Sequence, residues 1–177
     1  MRALIVLDMQ KHILSQKNFK EEKDNIKKVI DICKSKNDKV IFVRHIETDN
    51  DSPLNESSNR SEIHEEFAED YDEIIEKTTP SAFYKTNLDN ILKENNVDEV
   101  VIVGFNTEFC CMFTAIVAFE RGYKVTFIED ATGTINNGEI YDMEDLDIKD
   151  LVGTVLNWSK TVEVLYVDEF IENEKNK

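Results

Sequence analysis

Cysteine is scarce in this sequence, which has three cysteines among 177 residues. Cys33 lies on the apolar stripe of a predicted helix, and Cys110 and Cys111 are adjacent, so their spacing suggests no disulfide framework. We therefore expect reduced thiols and a cytoplasmic protein. A single domain spanning residues 1–177 is long enough to bury a core without disulfides or a structural metal.

Basic residues are also few, with 21 lysines and arginines against 37 acidic residues and a net charge of −16. Such a charge makes nucleic acid and anionic membranes poor partners. No long hydrophobic run is present, because the N-terminal apolar stretch Ala3–Leu7 is too short for a signal peptide or a membrane span. We expect neither a nucleic-acid-binding nor a membrane protein.

Six short apolar runs alternate with helical patterns along the chain. The predicted strands are Ala3–Leu7, Lys39–His45, Tyr71–Glu76, Val100–Val103, Val125–Ile128 and Val162–Val167. Strands that alternate with helices indicate an α/β fold in which right-handed crossovers place helices on both faces of the sheet. The prediction is a three-layer α/β/α sandwich with a mainly parallel, Rossmann-like sheet of six strands.

Two of the predicted helices have features beyond simple periodicity. Thr86 and Asp89 have the spacing of a capping box that opens a helix over Leu88–Glu94. The segment from Phe109 to Arg121 is apolar on nearly every side, which predicts a buried helix, and Gly122 follows it as a C-terminal cap.

Two segments are predicted to be mobile or frayed. The polar stretch from Glu47 to Asp70 is long enough to be a mobile flap, and we expect specificity to reside there. Residues 169–177 are expected to fray.

Three reactive side chains directly follow predicted strands: Asp8 the first, Lys77 the third and Cys110 the fourth. In open parallel sheets, small ligands bind outside the carboxyl ends of the strands. Thiol-based acyl transfer needs these three types, with cysteine as nucleophile, a carboxylate to shuttle its proton and an ammonium to hold negative charge. A lone free cysteine is more commonly a small buried hydrophobe. Three such residues at three strand ends favour a site.

Four sequence blocks follow one another along nearly the whole chain. They are Leu7-Asp8-Met9-Gln10; Lys77 with Ser81-Ala82-Phe83-x-x-Thr86-x-Leu88; Gly104-x-x-Thr107-x-x-Cys110 with Thr114-Ala115; and Gly122-Tyr123-x-Val125 with Asp130-Ala131. This ordered set resembles the isochorismatase-like cysteine hydrolases, a superfamily that includes nicotinamidases, carbamoylsarcosine amidase and ureido and biuret hydrolases.

The resemblance implies a catalytic triad of Asp8, Lys77 and Cys110, because the spacing from Gly104 selects Cys110 rather than Cys111. It also implies a cis peptide bond between Phe105 and Asn106. The backbone amides of Asn106 and Cys110 would then form an oxyanion hole.

The implied reaction is hydrolysis of a small amide, ureido or carbamoyl compound through a thioester, without a cofactor. Met9, Ile13 and Phe83 are candidate apolar walls of the substrate pocket, although each could equally belong to the core. Family members commonly assemble, so we expect a homo-oligomer, a dimer or larger, whose interface includes the helix from Phe109 to Arg121.

One region departs from the pattern of nicotinamidases, which carry Asp-x-His and further histidines after the second strand to hold a metal. Here that region reads Arg44-His45-Ile46-Glu47-Thr48-Asp49. His45, His64 and Asp49 could in principle bind a metal, but such residues in an acidic loop are more often solvated. We therefore expect no metal.

Three alternatives stay open at this stage. One is a metal-dependent nicotinamidase, and another is a catalytically silent, oligomeric binding module of the same fold. The third uses Cys110 and Cys111 as a redox pair, which is disfavoured because adjacent cysteines form only strained disulfides.

Overall fold

The computed structural model describes residues 1–176. Its six strands form one sheet in the order β3-β2-β1-β4-β5-β6, and every neighbouring pair is parallel. The strands are β1 (Arg2–Leu7), β2 (Lys39–His45), β3 (Glu73–Lys77), β4 (Glu99–Phe105), β5 (Lys124–Gly133) and β6 (Glu163–Leu165). The predicted α/β fold with a parallel six-stranded sheet is confirmed. Three predicted ends are too early, because β3 includes Lys77, β4 runs on through Gly104 and β5 continues to Gly133. The predicted end of the last strand is too late, because β6 stops at Leu165 and Val167 opens a helix.

Helices cover both faces of this sheet. They are α1 (Lys11–Leu14), α2 (Lys20–Ser35), α3 (Leu88–Glu94), α4 (Met112–Glu120), α5 (Ile148–Trp158) and α6 (Val167–Lys175). One hydrophobic core lies between the sheet and α3, α4 and α5, and the other lies between the sheet and α1, α2 and α6. β1 is buried on both faces because its side chains alternate between these two cores.

The chain runs from β1 outward to β2 and β3 and then crosses back to place β4 on the other side of β1. This reversal opens a crevice at the carboxyl ends of the central strands, where parallel sheets bind ligands. The strand register is level there, since Leu7 pairs with Val43 and Gly104, and His45 pairs with Lys77.

The predicted capping box at α3 is wrong. Asn87 occupies the cap position and its side chain makes no capping bond. The Thr86 hydroxyl donates to the carbonyl of Ala82 at 2.5 Å and accepts from the amide of Leu88 at 3.3 Å. The Asp89 carboxylate accepts a bond from the Tyr123 hydroxyl at 2.9 Å and so is turned toward another element.

The prediction of a frayed C-terminus is also wrong over the described residues, because α6 is a formed helix. Phe170 is buried in the core, and the Glu174 carboxylate accepts two hydrogen bonds from the Arg2 guanidinium, at 2.6 and 2.9 Å. Arg2 thereby ties α6 to the start of β1. It also donates two bonds to Asp38. Lys177, the last residue of the predicted frayed segment, lies outside the described residues.

The buried helix predicted from Phe109 to Arg121 is divided and only half buried. A π-helical turn over Thr107–Cys111 leads into α4, which ends before Gly122, a glycine with φ +91° as expected of a C-terminal cap. The core-facing side of α4 consists of small residues, Thr114, Ala115 and Ala118. Four large apolar side chains of the π-helical turn and α4 point outward, with exposures from 39% to 45%: Phe109, Phe113, Ile116 and Phe119.

No helix within residues 1–176 combines the length and the apolar character needed to cross a membrane.

Candidate active site

The site begins at the end of β4, where Gly104 has φ +114°. A Cβ atom at this position would lie 2.1 Å from the carbonyl oxygen of Leu7, so only glycine lets β4 approach β1 this closely. The peptide bond between Phe105 and Asn106 is cis, as the resemblance implies. The π-helical turn that follows places Cys110 beside the end of β1.

The three residues predicted from the strand ends lie together. The Lys77 Nζ atom donates to Asp8 Oδ2 at 2.8 Å and to Cys110 Sγ at 3.2 Å. All three residues are buried, and the Lys77 side chain has no solvent-exposed surface. A buried ammonium therefore bridges a carboxylate and a thiol, an arrangement that can support thiol-based acyl transfer.

The Cys110 thiol is a weak acid in this setting. Burial and the nearby Asp8 carboxylate raise the pKa of Cys110 to about 12, although the Lys77 ammonium opposes them. Burial alone would lower the pKa of Lys77, but Asp8 and Cys110 more than offset it and the pKa is raised. At neutral pH the cluster therefore holds a neutral thiol and a charged ammonium, and the thiol needs a base before it can attack.

Asp8 has the free atom that such a base needs. Its Oδ2 atom accepts from Lys77, whereas its Oδ1 atom is buried and finds no hydrogen-bond partner within residues 1–176. An unpaired buried carboxylate oxygen is unusual, and its lone pairs are free to accept a hydrogen bond. The arrangement gives the two oxygens of Asp8 different roles.

His45 is a fourth member of the cluster, and its Nδ1 atom lies 3.2 Å from Lys77 Nζ. Its backbone is held by Gln10, whose Oε1 accepts from the His45 amide at 2.9 Å and whose Nε2 donates to the His45 carbonyl at 2.8 Å. The same Gln10 Nε2 donates to the carbonyl of Ser61 at 2.6 Å. Sequence reasoning considered His45 only as a metal ligand. His45 and Lys77 are the last residues of the parallel strands β2 and β3 and pair with each other, and this register places His45 beside Lys77.

Asn106 anchors the start of the nucleophile turn. Its carbonyl accepts from the amides of Phe109 and Cys111 at 3.2 and 3.1 Å, and its Oδ1 atom accepts from the Ile135 amide at 3.0 Å. The segment after β5 therefore fixes the backbone whose amides are predicted to form the oxyanion hole.

Glu108 was missed by sequence reasoning. It is buried in the same turn as Cys110, and its Oε1 atom accepts from three side chains: Thr134 at 2.9 Å, Asn136 at 2.7 Å and Tyr141 at 3.2 Å. These partners lie on one segment, so Glu108 holds that segment against the nucleophile turn. No local pattern marks this glutamate as buried, because all its partners are at least 26 positions away.

The three predicted pocket walls are buried. Met9 and Ile13 belong to the core on the α2 side of the sheet, and Phe83 belongs to the opposite core. The Arg121 guanidinium lies 5.1 Å from the centre of the Phe83 ring. Their role as walls of a substrate pocket stays a prediction.

The side chains considered as metal ligands are used elsewhere. His45 Nδ1 faces the Lys77 ammonium, His64 Nδ1 accepts from the Glu66 amide at 3.3 Å, and Asp49 accepts from the Asp51 amide at 3.0 Å. In the part of the chain that the structure describes, no three His, Cys, Asp or Glu residues converge as a metal site. The donor set of a nicotinamidase metal centre is therefore not assembled here.

Cys111 has no solvent-exposed surface, and burial raises the pKa of its thiol well above the usual range. Cys33, Cys110 and Cys111 are all free thiols. The structure thus contains no disulfide between the adjacent cysteines.

Known proteins share both the sequence and the fold. Residues 2–160 match the family described as the isochorismatase domain. Nicotinamidase 3 of Arabidopsis thaliana is 38% identical over 148 residues, which cover 76% of this chain and 74% of that protein. An uncharacterized isochorismatase family protein of Bacillus subtilis is 33% identical over 152 residues, 80% of each chain.

A solved structure described as a cysteine hydrolase from Pseudomonas syringae pv. phaseolicola superposes with a TM-score of 0.87 and covers 99% of this chain and 92% of that one. At 24% identity, this likeness shows the shared fold.

Proposed function

The chain belongs to the isochorismatase family and is a hydrolase of that family, and from this premise we propose that it cleaves a small amide, ureido or carbamoyl compound through a thioester on Cys110. The observation that carries the proposal is the Lys77 ammonium, which bonds both Asp8 and Cys110. The similarity to a plant nicotinamidase supports an amide-type substrate.

In the first half-reaction, Asp8 Oδ1 takes the proton of the Cys110 thiol while Sγ attacks the substrate carbonyl carbon. A C–S bond forms and the carbonyl π electrons move onto oxygen, where the amides of Asn106 and Cys110 stabilise the oxyanion. The tetrahedral intermediate then collapses. The C–N bond breaks, Asp8 returns the proton to the leaving nitrogen, and ammonia or an amine departs.

In the second half-reaction, Asp8 takes a proton from water, and the resulting hydroxide attacks the thioester carbonyl. The C–S bond breaks, the carboxylic acid product leaves, and the Cys110 thiolate takes the proton back from Asp8. Throughout, Lys77 balances the negative charge on the Asp8 carboxylate and on Cys110 Sγ, and its two hydrogen bonds hold these groups close together.

Met9, Ile13 and Phe83 are proposed as apolar walls of a compact substrate pocket. The Glu47–Asp70 segment is proposed to cover it, because Gln10 ties Ser61 of that segment to His45 beside the cluster. No cofactor takes part in the proposed steps.

The test is an ammonia-release screen over small amides, ureas and carbamates with wild-type protein and the Cys110→Ala variant. We expect the wild type to hydrolyse at least one compound of the panel and the Cys110→Ala variant to hydrolyse none. Hydrolysis that persists in Cys110→Ala would overturn the thioester mechanism. No turnover across the panel would favour the silent binding module.

A nicotinamidase is the second candidate, and the 38% identity to Nicotinamidase 3 favours it. The metal ligands implied for that activity do not assemble here, so we propose no step through a metal. Nicotinamide therefore belongs in the screen as one of the amides.

We also propose that the protein is a homo-oligomer, a dimer or larger, in which a second copy covers the exposed face of α4 and α5. Large apolar side chains of both helices and of the π-helical turn before α4 are exposed on this face: Phe109, Phe113, Ile116, Leu151 and Val155. Apolar exposure of this kind is typical of interaction sites. Its uncharged character lets two chains of net charge −16 approach each other here.

A further inference from the structure

The Lys77 ammonium has three N–H bonds and three acceptors. Two are Asp8 Oδ2 and Cys110 Sγ, and the third is His45 Nδ1 at 3.2 Å. Because an ammonium can only donate, the Nδ1 atom of His45 accepts this bond and the ring proton lies on Nε2. Every donor of the buried ammonium is therefore satisfied.

The His45 ring is held in place for this contact. Gln10 bonds both the amide and the carbonyl of His45, which fixes the backbone at the end of β2. Three charged groups face the ring: Lys77 from β3, Asp8 from the end of β1 and Glu47 from the following loop, whose Oε1 lies 3.9 Å from Nε2. Burial and the Lys77 ammonium lower the pKa of His45, so the ring remains a neutral acceptor at neutral pH.

A competing acceptor lies in the same cluster, since Asp8 Oδ1 is buried and unpartnered within the described residues. Without His45, the third N–H of Lys77 would be left unpaired in the interior, which is costly. An acceptor without a partner in this cluster is Asp8 Oδ1, and the Lys77 side chain would have to shift so that Nζ approaches it. That shift would draw Nζ away from Cys110 Sγ and occupy the oxygen that must receive the thiol proton.

We propose that His45 is a positioning residue that accepts the third N–H of Lys77, keeps the ammonium on Cys110 and leaves Asp8 Oδ1 free as the base. This inference rests on the proposed function, in which Asp8 takes the Cys110 proton. It gives the cluster four members rather than three.

Two variants separate the acceptor from the ring. His45→Asn keeps an acceptor oxygen close to the position of Nδ1, whereas His45→Phe keeps a ring of similar size without an acceptor. The readout is the rate of Cys110 alkylation by iodoacetamide at pH 8.5, located by peptide mapping. This rate follows the thiolate fraction and needs no substrate. Thermal unfolding of both variants shows whether the fold is intact.

We expect His45→Phe to be alkylated at least about fivefold more slowly than wild type, and His45→Asn to stay within about twofold, because loss of the Lys77 bond lowers the thiolate fraction. Equal rates in wild type and His45→Phe would overturn the proposal, as would equal slowing of both variants. If His45→Phe fails to fold, slow alkylation of the folded His45→Asn variant would by itself overturn the proposal.

Turnover gives a second readout once a substrate is known. His45→Phe should lower kcat about tenfold or more with KM nearly unchanged, since the defect lies in proton transfer rather than binding. His45→Asn should restore kcat, and a change confined to KM would contradict the proposal. If no compound in the screen is hydrolysed, the proposed function fails, while the alkylation comparison still decides the role of His45.

Discussion

Lys77 and Cys110 are 33 positions apart in the chain, yet the Lys77 ammonium donates a hydrogen bond to the Cys110 sulfur over 3.2 Å. Lys77 ends the edge strand β3, and Cys110 lies in the turn after β4. The strands β2 and β1 lie between β3 and β4 in the sheet. The long Lys77 side chain, which has no solvent-exposed surface, spans this distance and also donates a hydrogen bond to Asp8.

Lys77→Met should abolish hydrolysis and destabilise the fold. Removing one partner of a buried ion pair leaves the Asp8 carboxylate uncompensated, which costs about 3–5 kcal/mol. The matched control is Lys93→Met, which removes an exposed i,i+4 pair with Asp89 and should cost about 0.5 kcal/mol or less. Urea unfolding of the two variants measures the difference. Equal losses of unfolding free energy in the two variants would show that the buried Lys77–Asp8 pair stabilises the fold no more than the exposed pair does.

Alkylation of Cys110 by iodoacetamide in the resting protein should be slow at neutral pH. Since the pKa of this thiol is raised to about 12 by burial and by Asp8, the thiolate is a minor species from pH 7 to 9. The rate should therefore rise about tenfold for each pH unit over this range. A rate that is already flat at pH 7 would mean that the resting sulfur is a thiolate held by Lys77.

Ile116→Glu should lower both the molecular mass in solution and the activity, because it places a charge on the exposed face of α4. The control is Ile74→Glu on the edge strand β3, where a partly exposed isoleucine lies on the other side of the molecule. Light scattering at micromolar concentration should give at least twice the monomer mass for the wild type and the control. A fully active wild-type monomer would refute the oligomer.

Activity should survive exhaustive chelation, because the side chains considered as metal ligands are engaged by Lys77 and by backbone amides. The measurement is turnover of a substrate from the screen before and after dialysis against a chelator, with elemental analysis of both samples. A stoichiometric transition metal near His45, with loss of activity on its removal, would return the nicotinamidase reaction to first place.

Much of the fold and the core of the candidate site could be predicted from the sequence because both depend on local patterns. Apolar β-branched runs mark buried strands, and a parallel sheet brings their carboxyl ends to one edge, which placed Asp8, Lys77 and Cys110 in one region. The family blocks then selected Cys110 over Cys111.

The errors arose where structure depends on distant partners. The C-terminal helix α6 is held by Arg2 at the opposite end of the chain, which no local pattern reveals. Asp89 has capping spacing from Thr86, but its carboxylate bonds Tyr123, 34 positions away, while Thr86 bonds Ala82 and Leu88 nearby. Apolar residues around α4 do not distinguish a core from an exposed face, because the small residues, rather than the aromatic ones, pack inward.

The central claim is that Cys110 carries the acyl group, and the most direct test compares Cys110→Ala with Cys111→Val on a substrate from the screen. We predict that Cys110→Ala folds normally and has no activity, whereas Cys111→Val retains most of it. Acid-quenched turnover of Cys111→Val should show the acyl mass on the peptide that contains Cys110. The account would be contradicted if Cys110→Ala were active and Cys111→Val inactive, or if the acyl group were found on any other residue.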